Sequence, residues 1–244
     1  MCGVFAQTGL DFRGLSDTIR HAKKALKEKR IKEGQSILPN FNIWTGMNAL
    51  VVTQEEPDFM QNMQFGFTPD WAKKQMYLFN ARVEGDENQL NSPDYSGEMG
   101  IFEKPAFKEA IHHKRCIVPM DYFIEGPEKL GLKKPFLFKR KDDLAFVVAG
   151  IWNKWQLKDF SIYCFSILTT PASKLVNQIG HHRSPLILNN ADIDGWLDKD
   201  ISPDKLTKLM QPFDSEEFEC YPISDGVTKK QNTKEVMTPI LELF

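Results

Sequence analysis

The sequence predicts an α+β protein whose core is a curved antiparallel β-sheet, or a barrel-like closure of one, with helices at its periphery. Segments rich in Val, Ile, Phe, Trp and Tyr recur along the chain, broken by Gly, Pro or charged turns, while stretches with helical periodicity are few and short. Many strands with few helices fit that architecture. With 41% hydrophobic and 26% charged residues over 244 positions, the composition is globular, and no linker, repeat or low-complexity tract interrupts it; residues 1–244 read as a single domain.

The elements follow in order. Val4-Phe5 can anchor the N-terminus in a strand. A helix capped by Ser16 would bury Ile19, Ala22 and Leu26 while Lys23, Lys24, Lys27 and Lys29 face water. Strands are expected over 43–52 and 63–68, then a helix opening at Pro105 and running through Ala110 and Ile111. Strands over 116–124, 135–139, 144–155 and 160–169 precede a third helix. There Thr170 caps, Pro171 opens, Leu175, Val176 and Ile179 form the apolar stripe, and Gly180 ends the helix just before His181. A fourth helix follows Ser202-Pro203 with Leu206, Leu209 and Met210 inward, and a strand over 218–223 comes last.

A formal net charge of −2 gives no global attraction to polyanions, so any nucleic-acid contact must come from a local basic surface. No apolar run approaches the ~18 residues of a membrane span, and the N-terminus shows no basic segment followed by an apolar one, which points to a cytoplasmic protein without a membrane partner. Cys2, Cys116, Cys164 and Cys220 form no Cys-x-x-Cys pair, so neither a zinc site nor a disulfide framework is suggested. Cys116, Cys164 and Cys220 sit in apolar surroundings and read as buried, inert thiols, whereas Cys2 does not.

Initiator Met is normally removed when the second residue is small, so Met1-Cys2-Gly3 makes Cys2 the first residue of the mature chain. A free α-amine titrates near ~7.7–8.0 and a Cys thiol near ~8.5, so neutral amine and thiolate coexist around neutrality. Such an aminothiol condenses with an aldehyde to a Schiff base, and the thiol then closes a five-membered thiazolidine on the imine carbon. Glutamine amidotransferases of the N-terminal nucleophile type begin similarly, with the amine acting as base for the thiol. They also need arginine, asparagine-glycine and aspartate motifs to hold glutamine, and Arg13-Gly14 lies too close to Cys2 to be the first of these.

Further segments choose between the two. Phe65-Gly66-Phe67-Thr68-Pro69-Asp70-Trp71 is followed by Asn80-Ala81-Arg82-Val83-Glu84; then come Pro119-Met120-Asp121-Tyr122-Phe123-Ile124-Glu125 and, after Thr169-Thr170, His181-His182-Arg183-Ser184-Pro185. Phe41-Asn42 and Pro222-Ile223-Ser224 are looser matches. With these in order, the sequence resembles the SRAP family (SOS-response-associated peptidases), abasic-site sensors that crosslink to DNA. Val4 and Gly126 stand where the family usually has Arg and Trp.

The resemblance implies a partner, single-stranded DNA containing abasic sites, and a protein that works as a monomer in the cytoplasm, at the nucleoid when bound to DNA. It also implies roles. Glu125 is the general acid/base that opens the abasic sugar, His181 polarises a sugar hydroxyl or shuttles a proton, and Asn80 orients the Cys2 amine. Arg82 and Arg183 hold flanking phosphates, Asn42 and Thr170 contact the strand, and Trp71 stacks on or wedges beside an exposed base. No metal or cofactor is required by this chemistry, and a further autoproteolytic or crosslink-reversing activity is implied. A plain single-strand binder is the non-catalytic alternative.

Overall fold

The computed structural model describes residues 3–240 except 14, 16, 21, 23–38 and 93. Five strands close a barrel: β3 (Asn48–Thr53), β4 (Met60–Phe65), β6 (Arg115–Met120), β9 (Phe146–Leu157) and β10 (Phe160–Pro171). Neighbours pair antiparallel around this ring except at one seam, where β10 joins β4 in parallel with Cys164 opposite Gln64 and Phe165 opposite Phe65. Two short strands, β5 (Asn80–Arg82, parallel) and β11 (Arg183–Pro185, antiparallel), extend the ladder at the far end of β10. The second sheet is antiparallel throughout, in the order β12 (Phe218–Pro222), β8 (Phe136–Arg140), β7 (Tyr122–Glu125), β1 (Val4–Gln7), β2 (Asn40–Trp44). The α+β class and barrel-like core therefore hold, with the parallel seam as the departure from an all-antiparallel core.

Two-residue periodicity on the barrel strands sorts their side chains between two cores. Ala49, Val51, Met63, Phe65, Val118, Val148, Phe165 and Ile167 pack with Phe5, Ile43, Phe123 and Phe138 of the second sheet. Their neighbours Leu50, Val52, Ile117, Ala149, Ile151 and Leu168 pack under helical residues Ile111, Trp196 and Leu206. Trp152, Trp155 and Trp196 are buried as core residues, and so are Cys116 and Cys164, whose thiols burial pushes up, Cys164 to about 11.

Several boundaries differ from expectation for local reasons. The expected strand 43–52 is two, because the turn at 45–47, with Gly46 at φ 90°, reverses the chain between β2 and β3. The expected strand 116–124 breaks at Asp121, whose carboxylate accepts backbone N–H groups of Thr8, Gly9 and Leu10 and so pins the turn after β1. Thr170 does not cap a helix: β10 stays extended through Pro171, held by its pairing with Arg183. The helix α2 (Lys174–Gln178) starts three residues later under Ser173, whose hydroxyl accepts the Val176 N–H at 3.4 Å. Similarly α1 (Lys108–His113) begins beyond Pro105, and α3 (Ile193–Leu197) was not anticipated. In α4 (Pro203–Leu209) the Ser202 cap and Pro203 at the first position are as the sequence predicts. Residues 17–20 and 22 are helical with Ile19 and Ala22 buried, while Ser16 and Leu26 of that expected helix lie outside the described residues.

Candidate active site

β1 and β7 run antiparallel, with Val4 opposite Ile124, so the same register sets Gly3 beside Glu125 at the end of β7. Cys2 itself, one residue further, lies outside the described residues. The chain leaving β7 turns sharply: a Cβ on Gly126 would fall 2.0 Å from the Gly131 carbonyl oxygen, so only glycine fits there and the bulky residue common in the family cannot. The following loop is tied to the end of α2, where the Glu128 N–H donates to Gly180 O at 3.0 Å. Gly180, at φ 74°, ends the helix as its sequence position predicts and turns His181 inward.

These two turns bring together residues far apart in sequence. His181 Nε2 lies 3.6 Å from Glu125 Oε2, and His181 Nδ1 lies 3.5 Å from Glu128 Oε2. Glu125 and His181 are buried, while Glu128 is exposed on its outer side. Burial pushes the Glu125 carboxyl up to about 7, with the Glu128 charge adding to it and the Gly126 backbone hydrogen bond opposing it. Burial likewise pushes the His181 imidazole down to about 4, against the pull of Glu128. Near neutrality the imidazole is therefore uncharged, while Glu125 keeps a protonated fraction. The contact, at 3.6 Å, is a carboxyl beside a neutral imidazole rather than an ion pair.

Asn80 stands on β5 opposite Ile167 of β10 and is half-buried. Arg82 shares its face two residues on, with one terminal nitrogen 2.6 Å from Asn88 O and 3.1 Å from Asn91 Oδ1. The structure alters the reading of three expected DNA contacts. Arg183 is buried and gives its guanidinium fork to Glu84, at 2.8 Å on each oxygen, and to Thr169 O at 2.7 Å; it does not present that fork to solvent. Asn42 is buried in β2, where its amide donates to Val227 O at 2.9 Å and Gln231 O at 3.2 Å and accepts from Trp44 Nε1 at 2.7 Å, so it ties two segments together. Thr170 is buried, its hydroxyl donating to Pro171 O at 2.9 Å. Trp71, by contrast, is 60% exposed, with only its indole N–H held, by Pro105 O at 3.3 Å. Glu84, in the Asn-Ala-Arg-x-Glu segment, and Glu128 carry contacts that no local pattern announces.

A barrel flanked by an antiparallel sheet, with a buried acid and histidine beside the start of β1, is the setting in which relatives become informative. The chain belongs to the SRAP family: the family model for SOS response associated peptidase (SRAP) matches residues 1–230. It is 30% identical over 202 residues to the Abasic site processing protein YoqW of Bacillus subtilis, covering 80% of this chain and 83% of that one. It is 26% identical over 210 residues to the Abasic site processing protein HMCES of Gallus gallus, covering 74% of this chain and 57% of the relative. Among solved structures, a protein from Bacteroides thetaiotaomicron superposes with a TM-score of 0.77 at 26% identity, covering 98% of this chain and 100% of that one. A Bordetella bronchiseptica protein at 16% identity and TM-score 0.65 shares the fold.

Proposed function

We propose that this protein processes abasic sites in single-stranded DNA, trapping the sugar as a thiazolidine on Cys2 after Met1 is removed. The observation that carries the reading is the buried Glu125–His181 pair beside the strand that leads to Cys2; the names of the relatives above point the same way. The closed abasic sugar is a hemiacetal. Glu125, holding a proton near neutrality, donates it to O4′ as the C1′–O4′ bond breaks, and the C1′ hydroxyl loses its proton to leave the aldehyde. The Cys2 amine adds to that carbon and water leaves, giving the imine; the Cys2 sulfur then adds to the imine carbon and its nitrogen takes a proton. Asn80 orients the amine without adding charge, and neutral His181 polarises a sugar hydroxyl. Run backwards, the same steps hydrolyse the imine and release the DNA.

The test is a denaturing gel of the mature protein with an abasic single-stranded oligonucleotide. A band that survives detergent and heat is expected, and none with the undamaged oligonucleotide; a purely non-covalent complex would sink the proposal. Glu125→Gln should slow adduct formation about a hundredfold with little change in DNA affinity, since a positioned acid contributes on that order. Because the protonated carboxyl is the active form and its titration lies near 7, the wild-type rate should fall as pH rises through that value. In the Gln variant this alkaline limb should be missing from the pH–rate profile; its persistence would assign it to another group.

A further inference from the structure

The segment between Phe67 and Leu78 is a closed excursion. Phe67 and Leu78 exchange both backbone hydrogen bonds at 2.9 and 2.8 Å, and the Met76 N–H donates to Thr68 Oγ1 at 3.1 Å. Between those anchors Tyr77 is held at φ 54°, the left-handed region that a bulky side chain rarely enters. Strain of this kind persists only where the surroundings over-determine it, and it concentrates at ligand-holding positions. Beneath the ring lie two glycines, also at positive φ. A Cβ on Gly66 would come within 3.1 Å of Tyr77 Cα and Cδ1, and one on Gly46 within 3.6 Å of Cε1. Three unusual backbone conformations thus seat one phenol ring, and the residue nevertheless stays 41% exposed.

Its place is also particular. In the β1–β2 ladder Val4 lies opposite Trp44, so the register brings Gly3 beside Thr45, next to Gly46 under the ring. Asn80 follows three residues after Tyr77, and Trp71, Lys73, Lys74 and Met76 of the same excursion are exposed. The aromatic face therefore borders the end of β1 from which Cys2 continues, with lysines nearby for phosphates.

We propose that Tyr77 is a stacking platform for the base next to the abasic nucleotide, so that the site prefers an isolated lesion with an intact neighbour over a run of lesions. This rests on the single-stranded DNA reading above. The test uses oligonucleotides carrying a tetrahydrofuran abasic analogue, which has no aldehyde and cannot crosslink, so it is independent of Cys2 chemistry. Binding is measured by fluorescence anisotropy with the analogue between normal bases and with further analogues in place of those neighbours.

Wild type should bind the first oligonucleotide about tenfold more tightly or better, the scale of one base–aromatic stack. Tyr77→Phe should keep that preference; Tyr77→Ala and Tyr77→Gly should lose it while binding the second oligonucleotide like wild type. Tyr77→Gly should also resist denaturant better than Tyr77→Ala, since only Gly relaxes the positive φ. Equal loss of affinity for both oligonucleotides would mark Tyr77 as a structural residue and overturn the proposal, as would a wild type indifferent to the neighbouring bases. A wild type that binds no single-stranded DNA at all would instead remove the functional reading on which it rests.

Discussion

Cys2→Ala is expected to abolish the denaturant-resistant DNA adduct entirely, and the wild-type sequence with Met1 retained is expected to do the same. The Ala variant still presents an α-amine, so it can form the imine, but it has no sulfur to close the ring and the imine hydrolyses when the complex is denatured. Borohydride separates the steps: added during the reaction, it should reduce the imine of the Ala variant to a stable amine and restore a band of the wild-type mobility. The Met-retained protein has its amine displaced by one residue, about 3.3–3.6 Å of extended chain, and no aminothiol, so borohydride should rescue it poorly. A strong adduct from either variant without reductant would refute the thiazolidine route.

Glu84→Ala is expected to cost the fold about 3–5 kcal/mol, because it strands the buried Arg183 guanidinium without its counter-charge. Surface ion pairs are worth far less, but this one accepts two hydrogen bonds of 2.8 Å in a site closed to solvent. Thr169 still accepts from Arg183 in the variant, which argues for the lower part of that range. For a chain of this size the loss corresponds to a fall of roughly 6–20 °C in Tm. Glu84→Gln keeps the shape and one acceptor oxygen and should lose less. Denaturant unfolding with an unchanged m value checks the estimate; a loss under about 1 kcal/mol for Glu84→Ala would mean that Arg183 finds water or another partner.

What could be read from the residues alone depended on how local each cause was. The Ser202-Pro203 start of α4 and the Gly180 stop of α2 are decided within one turn of chain, and both were legible. Thr170 and Ser173 are equally good caps in isolation; the β10–β11 pairing, fourteen or so residues of chain folding back on itself, chooses the second. The turn that divides β2 from β3 was available in Gly46, but the flanking apolar residues read as one run. At the site, resemblance pointed to Glu125 and His181 separately. Gly126-Pro127 marks a turn in the sequence, but their 3.6 Å approach depends also on the Glu128–Gly180 hydrogen bond, which has no sequence signature. Arg183 is the reverse case: an arginine within a site motif suggests phosphate, and the fold gives its guanidinium fork to Glu84.

β1 lies between β2 and β7 inside the second sheet, not at its border. During synthesis it can meet β2 early, but an isolated two-stranded ribbon is barely stable, and its other partner does not exist until residues 122–125 have been made. Removal of Met1, which the proposed function requires, can therefore precede completion of that sheet, while roughly the first half of the polypeptide is still emerging. Under the proposed chemistry a fusion placed ahead of that strand would also occupy the Cys2 amine, so affinity tags for this protein belong at the other terminus.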